Sequence, residues 1–402
     1  RSPACTMREA GCRRPDGGVQ ADPTNKDDAI MNTSKNLLFV LGTRPEVVKL
    51  APVIREARSR PGVTATVLHT GQHREMAAEM FDLFGITPDI DLAVMQPNQT
   101  LFSVSAKILE GLDAILRERR FDTILVQGDT TTAFLGALAG YYTKTRVAHV
   151  EAGLRTHDKF SPYPEEMNRR LAGALTDIHF PPTTRAKNNL LAEGFPEDRI
   201  IVTGNTVIDA LLWALDMPYK APLELEPLLN APGRMILATT HRRESFGEPH
   251  RRVFQAFLQI ADEFPDVRFI FPVHPNPNVR AEVARQLGNH PRIHLLAPLG
   301  YLDFIHAMSA ATFILSDSGG VQEEAPTLKK PVLVLRDHTE RPEGLESGCL
   351  TLVGTDTEKI FGEAKKLLTD SFYYQNMIKS PNPYGDGHAS VRIIDNITKK
   401  SA

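Results

Sequence analysis

From Lys35 onward, short runs of β-branched and apolar residues alternate with longer segments whose apolar positions recur every three or four residues. A short apolar run fits a strand buried on both faces, and a 3.6-residue recurrence fits a helix with one face on a core. Residues 37–41 read as a strand. Residues 45–58 read as a helix whose Val47, Leu50, Ala51, Ile54 and Ala57 share a face, with Pro45 suited to its first turn. The same reading gives strands at 63–68, 123–126, 147–150, 178–180 and 200–202, and helices at 75–84, 99–119, 131–142 and 184–193. The stretch 217–233 is rich in Pro and Leu and weakly periodic. After it the pattern resumes, with strands at 235–239, 268–271, 293–296, 313–315 and 332–335, and helices at 251–264, 279–287, 302–309, 321–327 and 358–369. A last helix is expected over 391–400.

Strands alternating with helices make parallel sheets covered on both faces. Two such series predict an α/β chain of two Rossmann-like domains with parallel sheets facing a cleft. The first domain is expected over 31–205, joined by the C-terminal helix within 385–402. The second, a nucleotide-binding domain, is expected over 206–384. Residues 1–30 are rich in Pro, Gly, Asp and Arg without apolar period, and read as a disordered leader or tag.

Composition narrows the function classes. A chain of 402 residues that is 42% hydrophobic suffices for two cores. With a formal net charge of −3 and no basic stripe, nucleic acid is excluded as a partner, and an anionic substrate must be held by a few local cations. No apolar run reaches the roughly 18 residues that cross a membrane. Cys5, Cys12 and Cys349 have no metal-ligand spacing, so no metal and no cofactor are expected, and a reducing cytoplasm fits.

Ligands of open α/β sheets bind at the carboxyl ends of the strands, which filters the candidate chemistry. Gly42-Thr43-Arg44-Pro45-Glu46 follows the first strand, with Lys49 about one helical turn on. The motif suits an anion, although a plain strand–helix turn with two solvated cations reads equally well. Asp129, in Gly128-Asp129-Thr130-Thr131-Thr132, is either a helix cap or an acid/base group. Glu151 ends an apolar strand before Ala152-Gly153, a poor place for a merely solvated carboxylate. Glu165 stands where an extended loop meets a helix, where dipole chemistry is the plain alternative. His241, beside Arg242 and Arg243, and His274 close two strands of the second series. Asp317-Ser318-Gly319-Gly320 ends another and opens a helix whose N–H groups suit a diphosphate, with Glu324 about one turn down and Arg341 after the next strand. Asp89-Ile90-Asp91 matches a short metal-binding pattern, but it lies in a polar connection with no strand end before it and reads as solvated.

Taken together, these motifs resemble the non-hydrolysing UDP-N-acetylglucosamine 2-epimerase family. The likeness also draws on His149-Val150-Glu151-Ala152-Gly153-Leu154-Arg155, Pro164-Glu165-Glu166, Gly204-Asn205-Thr206-Val207-Ile208-Asp209-Ala210, His241-Arg242-Arg243-Glu244, Ser316-Asp317-Ser318-Gly319-Gly320-Val321-Gln322-Glu323-Glu324 and Thr339-Glu340-Arg341-Pro342-Glu343, and runs from about 37 to 388. The resemblance implies a two-domain fold like that of the GT-B glycosyltransferases and a cytoplasmic homodimer. By the same likeness Asp129, Glu151 and Glu165 look like acid/base carboxylates, with His241 beside them. Arg44, Lys49, Ser318, Gly319, Gly320, Glu324 and Arg341 look like contacts to the UDP-sugar substrate. Gln72, Glu165, Arg242 and His274 match a site at which bacterial members bind a second UDP-N-acetylglucosamine as activator. The chain departs from the family at Thr240, where Gly is frequent, at Leu299, where Gln is, and at Gln127, where His is. The implied reaction is reversible C2 epimerisation of UDP-N-acetylglucosamine to UDP-N-acetylmannosamine, feeding surface polysaccharide synthesis. A 2-epimerase for a modified UDP-amino sugar such as a diacetamido uronate, or a GT-B glycosyltransferase, remains the alternative. So do a hydrolysing 2-epimerase and a nucleotide-sugar sensor.

Overall fold

The computed structural model of the protein describes residues 34–72, 74–96, 99–240, 247–273 and 276–399. The first series runs β1 (Lys35–Leu41), α1 (Arg44–Ser59), β2 (Val63–His69), α2 (Arg74–Leu83), β3 (Ile90–Asp91), α3 (Leu101–Glu118), β4 (Thr123–Gln127), α4 (Thr131–Thr143), β5 (Arg146–Val150), α5 (Glu165–Ala174), β6 (Ile178–Phe180) and α6 (Thr184–Ala192). Two helices connect it to the second, α7 (Thr206–Leu215) and α8 (Glu226–Asn230). The second series runs β7 (Arg234–Thr239), α9 (Glu248–Glu263), β8 (Val267–Pro272), α10 (Pro277–Leu287), β9 (Ile293–Leu296), α11 (Tyr301–Ala310), β10 (Phe313–Ser316), α12 (Gly319–Glu324), β11 (Val332–Val334), α13 (Pro342–Glu346), β12 (Leu350–Leu352) and α14 (Thr357–Thr369). It closes with α15 (Ser371–Lys379) and α16 (Ala389–Thr398).

Both sheets are parallel and six-stranded. Their orders are β3-β2-β1-β4-β5-β6 and β12-β11-β10-β7-β8-β9. In each, the chain starts at a central strand, fills one side and then crosses to the other. The direction therefore reverses between β1 and β4 and again between β7 and β10. Loops diverge at such a switch point and leave a crevice beyond the strand ends. The loops after β1, β4 and β10 carry the Gly42, Asp129 and Ser318 motifs.

The interior follows the apolar pattern. One cluster joins the two sheets through the helices between them, with Leu50 and Ile54 of α1, Ile208 and Leu211 of α7, Ile305 of α11 and Val321 of α12. The outer faces have their own clusters, Ile108, Leu112 and Val126 on the first sheet and Phe254, Phe257, Phe269 and Phe271 on the second. Helix α7 packs on α1 and α16 as well as on α11 and α12. The chain's last helix returns to the first sheet, where Ile393, Ile394 and Ile397 join the inner cluster and Arg60 pairs with Asp395 at 2.8 Å. Its N-terminus is held by the Asp209 carboxylate, which accepts hydrogen bonds from the N–H of Ala389 and Ser390 and from the Ser390 hydroxyl.

Some expectations need correction. Residues 200–202 make only an isolated bridge between Ile200 and His179, not a strand. Asp89-Ile90-Asp91 is not a free polar connection, because Ile90–Asp91 form the edge strand β3. The two carboxylates accept the backbone N–H groups of Val67 and Ala93, so they cap the edge. The helix expected over 321–327 begins at Gly319 and tightens into a 3₁₀ turn at Ala325–Leu328.

Candidate active site

A cavity of about 950 Å³ opens beyond the strand ends. Lys49, Gln72, Asp129, Glu151, Glu165 and Arg341 line it together. Arg44 begins α1 between the lining residues Thr43 and Pro45.

The loops after β1 and β4 are tied to each other by Glu46, which is fully buried. Its carboxylate accepts the N–H of Gly42 (3.0 Å) and Thr43 (2.7 Å), the Thr43 hydroxyl (2.8 Å) and the Thr130 hydroxyl (2.6 Å). Burial pushes this carboxyl up to about 7, against those four hydrogen bonds. Thr130 in turn caps α4, accepting from the N–H of Ala133. Asp129 therefore sits between a glycine with φ 69° and an anchored cap. From the other side, α5 holds it through an Arg169 ion pair and a hydrogen bond from Asn168 to its carbonyl.

Glu151 follows β5 with φ 62°, a left-handed backbone that costs a residue with a Cβ about 1 kcal/mol or more. Its N–H nevertheless bonds the Phe180 carbonyl, so the ladder to β6 fixes the turn. Lys49 Nζ donates to its Oε1 at 2.6 Å and Asn205 Nδ2 to the same oxygen at 3.2 Å. The Gln127 amide donates to Oε2. The network crosses to the second sheet at Glu323, whose Oε2 lies 3.2 Å from Asn205 Nδ2 and 3.9 Å from Lys49 Nζ and whose Oε1 accepts from Arg341 Nε at 2.6 Å. Burial works against the charge on Lys49, but Glu151 and Glu323 outweigh it and hold the ammonium above its usual range. For Arg341, burial opposes and Glu323 and Glu151 again prevail, in the same direction.

The Ser318 turn leads into α12 beside this network. A side-chain carbon built on Gly319 would stand 3.7 Å from the Arg341 guanidinium, and one on Gly320 3.9 Å from Glu324 Oε2. Thr339 steadies the Arg341 segment by accepting its N–H (3.1 Å) and donating to Gln322 (2.6 Å). Glu324 is raised to about 8, first by burial and then by its neighbour Glu323, and Tyr301 donates to it at 3.4 Å.

Behind Glu151, burial lowers His149 to about 4 and His179 to about 3. The His179 ring has no hydrogen bond among the described residues and packs against Phe195 with the two rings tilted by 52°. An unfolded chain takes up these protons as pH falls through about 6.5, whereas the folded chain resists until about 4 and 3. The stabilising share of the two rings is thus complete above 6.5 and is lost on acidification. Glu46 and Glu324, raised, act in the opposite sense between about 4.5 and 8, so the effect is read as a difference. A His179→Phe variant should gain on the parent by up to about 1.4 kcal/mol for each pH unit between 6.5 and 4 in urea unfolding. A constant difference across that range would refute it.

Of the residues chosen by sequence, His241, Arg242 and His274 lie outside the described residues. Ser318, Gly319, Gly320 and Glu324 are not part of the cavity lining; Gly319 adjoins Arg341, and Gly320 adjoins Ser318 and Glu324. Sequence reasoning gave no site role to Glu46, Asn205 or Glu323, and marked Gln127 only as a departure from the family. Glu46, Asn205 and Glu323 stand inside quoted motifs, and the signal available for Glu323 was its place beside Glu324 on one short helix. Among the described residues, no group of three or more His, Cys, Asp or Glu is arranged to hold a metal, and no helix is long and apolar enough to cross a membrane.

The family described as UDP-N-acetylglucosamine 2-epimerase matches residues 55–398. A UDP-N-acetylglucosamine 2-epimerase of Bacillus subtilis (strain 168) is 49% identical over 363 residues, 90% of this chain and 94% of the relative. One of Escherichia coli (strain K12) is 48% identical over 365 residues, 89% and 97% of the two chains. Among solved structures, the UDP-GlcNAc 2-epimerase of Neisseria meningitidis bound to UDP-GlcNAc superposes with a TM-score of 0.81 at 44% identity, covering 91% of this chain and 100% of that one. The Methanocaldococcus jannaschii enzyme in complex with UDP-GlcNAc and UDP gives 0.73 at 34%, covering 90% and 99%.

Proposed function

Since this chain belongs to the UDP-N-acetylglucosamine 2-epimerase family, we propose that it inverts C2 of UDP-N-acetylglucosamine by reversible loss of UDP, with Asp129, Glu151 and Glu165 handling the proton. The observation that carries this reading is the meeting of three carboxylates with Lys49 and Arg341 around one cavity.

The C2 proton is not next to a carbonyl carbon and is too weakly acidic for direct abstraction near neutrality. Breaking the C1–O bond changes that. The bonding pair leaves with the β-phosphate oxygen, C1 gains oxocarbenium character, and the C2–H bond becomes acidic. A carboxylate takes that proton, and its electron pair forms the C1=C2 bond of 2-acetamidoglucal. Protonation of C2 from the opposite face, with return of the UDP oxygen to C1, gives UDP-N-acetylmannosamine. Lys49 and Arg341, together with Arg44 and the N–H groups of Gly319 and Gly320, stabilise the departing diphosphate. Glu324 takes the ribose hydroxyls. His241 belongs to the same set by its motif. The first domain at 31–205 with its returning helix, and the second at 206–384, close over the glucal and keep water from it.

Gln72 and Glu165, which line the same cavity, support a second UDP-N-acetylglucosamine as activator with Arg242 and His274. Exposed Phe102, Tyr141 and Tyr142 on α3 and α4 support a homodimer. The cytoplasm, where nucleotide sugars are made, suits the reaction.

Incubation with UDP-N-acetylglucosamine in D₂O tests the reading. Deuterium should enter C2, a manno anomeric signal should appear, and free UDP should not accumulate. Stoichiometric UDP with free sugar would replace it with a hydrolysing enzyme. Intact, protonated substrate would point to a modified UDP-amino sugar.

A further inference from the structure

We propose that Glu323 is a positioning residue of the epimerisation, a buried anion that orients Arg341 toward the diphosphate and, through Asn205 and Lys49, keeps Glu151 and the diphosphate clamp in one unit. The inference rests on the reaction assigned above and adds a residue to it. Glu323 is only 2% exposed and has donors from both halves of the chain. Arg341 precedes α13 of the second series, Asn205 caps α7, and Lys49 lies on α1 of the first. Asn205 Nδ2 is 3.2 Å from both Glu323 and Glu151, so one amide spans the two carboxylates.

A buried ion pair is a weak device for stability, because desolvation consumes most of its Coulomb attraction. Its geometry is more informative. Glu323 occupies Arg341 Nε, which fixes the guanidinium plane, while Nη2 stands 3.7 Å from the position of a carbon on Gly319. The free edge of the fork thus faces the glycine turn expected to cradle the diphosphate. The two cations, Lys49 and Arg341, are matched by two carboxylates, Glu151 and Glu323. A diphosphate entering there meets a negative charge already seated. Ground-state binding is thereby weakened, while the donors needed as the C1–O bond breaks are already aligned.

The test compares Glu323→Gln and Glu323→Asp with the parent enzyme, by UDP titration calorimetry, steady-state epimerisation and thermal melting. Glu323→Gln keeps the shape and removes the charge. UDP should bind about tenfold more tightly, while kcat falls at least about tenfold. Glu323→Asp keeps the charge but shortens the reach. Its UDP affinity should stay near that of the parent, with kcat still depressed. A purely structural residue would weaken binding and turnover together with the melting temperature in both variants, and that result overturns the proposal. Unchanged affinity and turnover in Glu323→Gln overturn it as well. If the parent enzyme binds UDP but exchanges no hydrogen at C2, the reaction is misassigned, and the UDP titrations alone then decide the role of Glu323.

Discussion

Asp129→Asn and Glu151→Gln are each expected to lose at least about two decades of turnover on UDP-N-acetylglucosamine while the fold survives. Both replacements keep the size of the side chain and remove the basic oxygen. The neighbours tolerate them. Arg169 retains its ion pair with Glu166 (3.4 Å) when Asp129 is neutral, and Lys49 retains Glu323 when Glu151 is. The loss should therefore fall on kcat, with circular dichroism and melting close to the parent. Deuterium incorporation at C2 should fall in parallel, since proton transfer is the step removed. Near-normal turnover of either purified variant would take that residue out of the chemistry.

Gly153→Ala is expected to destabilise the protein by about 3 kcal/mol or more. The backbone there has φ 87°, and an added carbon would lie 2.3 Å from the Ala186 carbonyl oxygen and 2.9 Å from its carbon. Both obstacles are main chain at the start of α6, so relief requires the helix or the turn to move. Asn189 also donates to the Gly153 carbonyl at 2.9 Å, which pins the turn from the same helix. Because Glu151 stands two residues earlier, activity should decline with stability. An unchanged urea midpoint would show that the turn yields more easily than its contacts imply.

Most strands and long helices were legible because a buried parallel strand and an amphipathic helix leave distinct periods. The elements that escaped lack such a period. Helix α7 was hidden since it is apolar on nearly every side, from Val207 through Leu215, as befits a helix between two sheets. Helix α13 and strand β12 are too short to show a repeat. The candidate residues that line the cavity could be picked out for a different reason, as strand-end motifs need only their order along the chain. What order does not carry is which loops face each other. The pairing of Lys49 with Glu151, the bridge from Asn205 to Glu323, and the tie of Glu46 to Thr130 all depend on the switch points of the two sheets. Asp89 and Asp91 show the converse, since a sequence pattern typical of ligands serves the edge of a sheet.

The return of α16 to the first sheet has a consequence for synthesis. The groove between α1 and α7 receives Ile393, Ile394 and Ile397, and the link from Arg60 to Asp395 spans 335 positions. As the polypeptide emerges from the ribosome, its leading half presents an unfilled apolar furrow until Ala389–Thr398 have been made. Contacts of such long range form late and leave sticky surface exposed meanwhile. Nascent chains of this protein should therefore call on chaperones until α16 has been made, and the Asp209 cap then seats that helix.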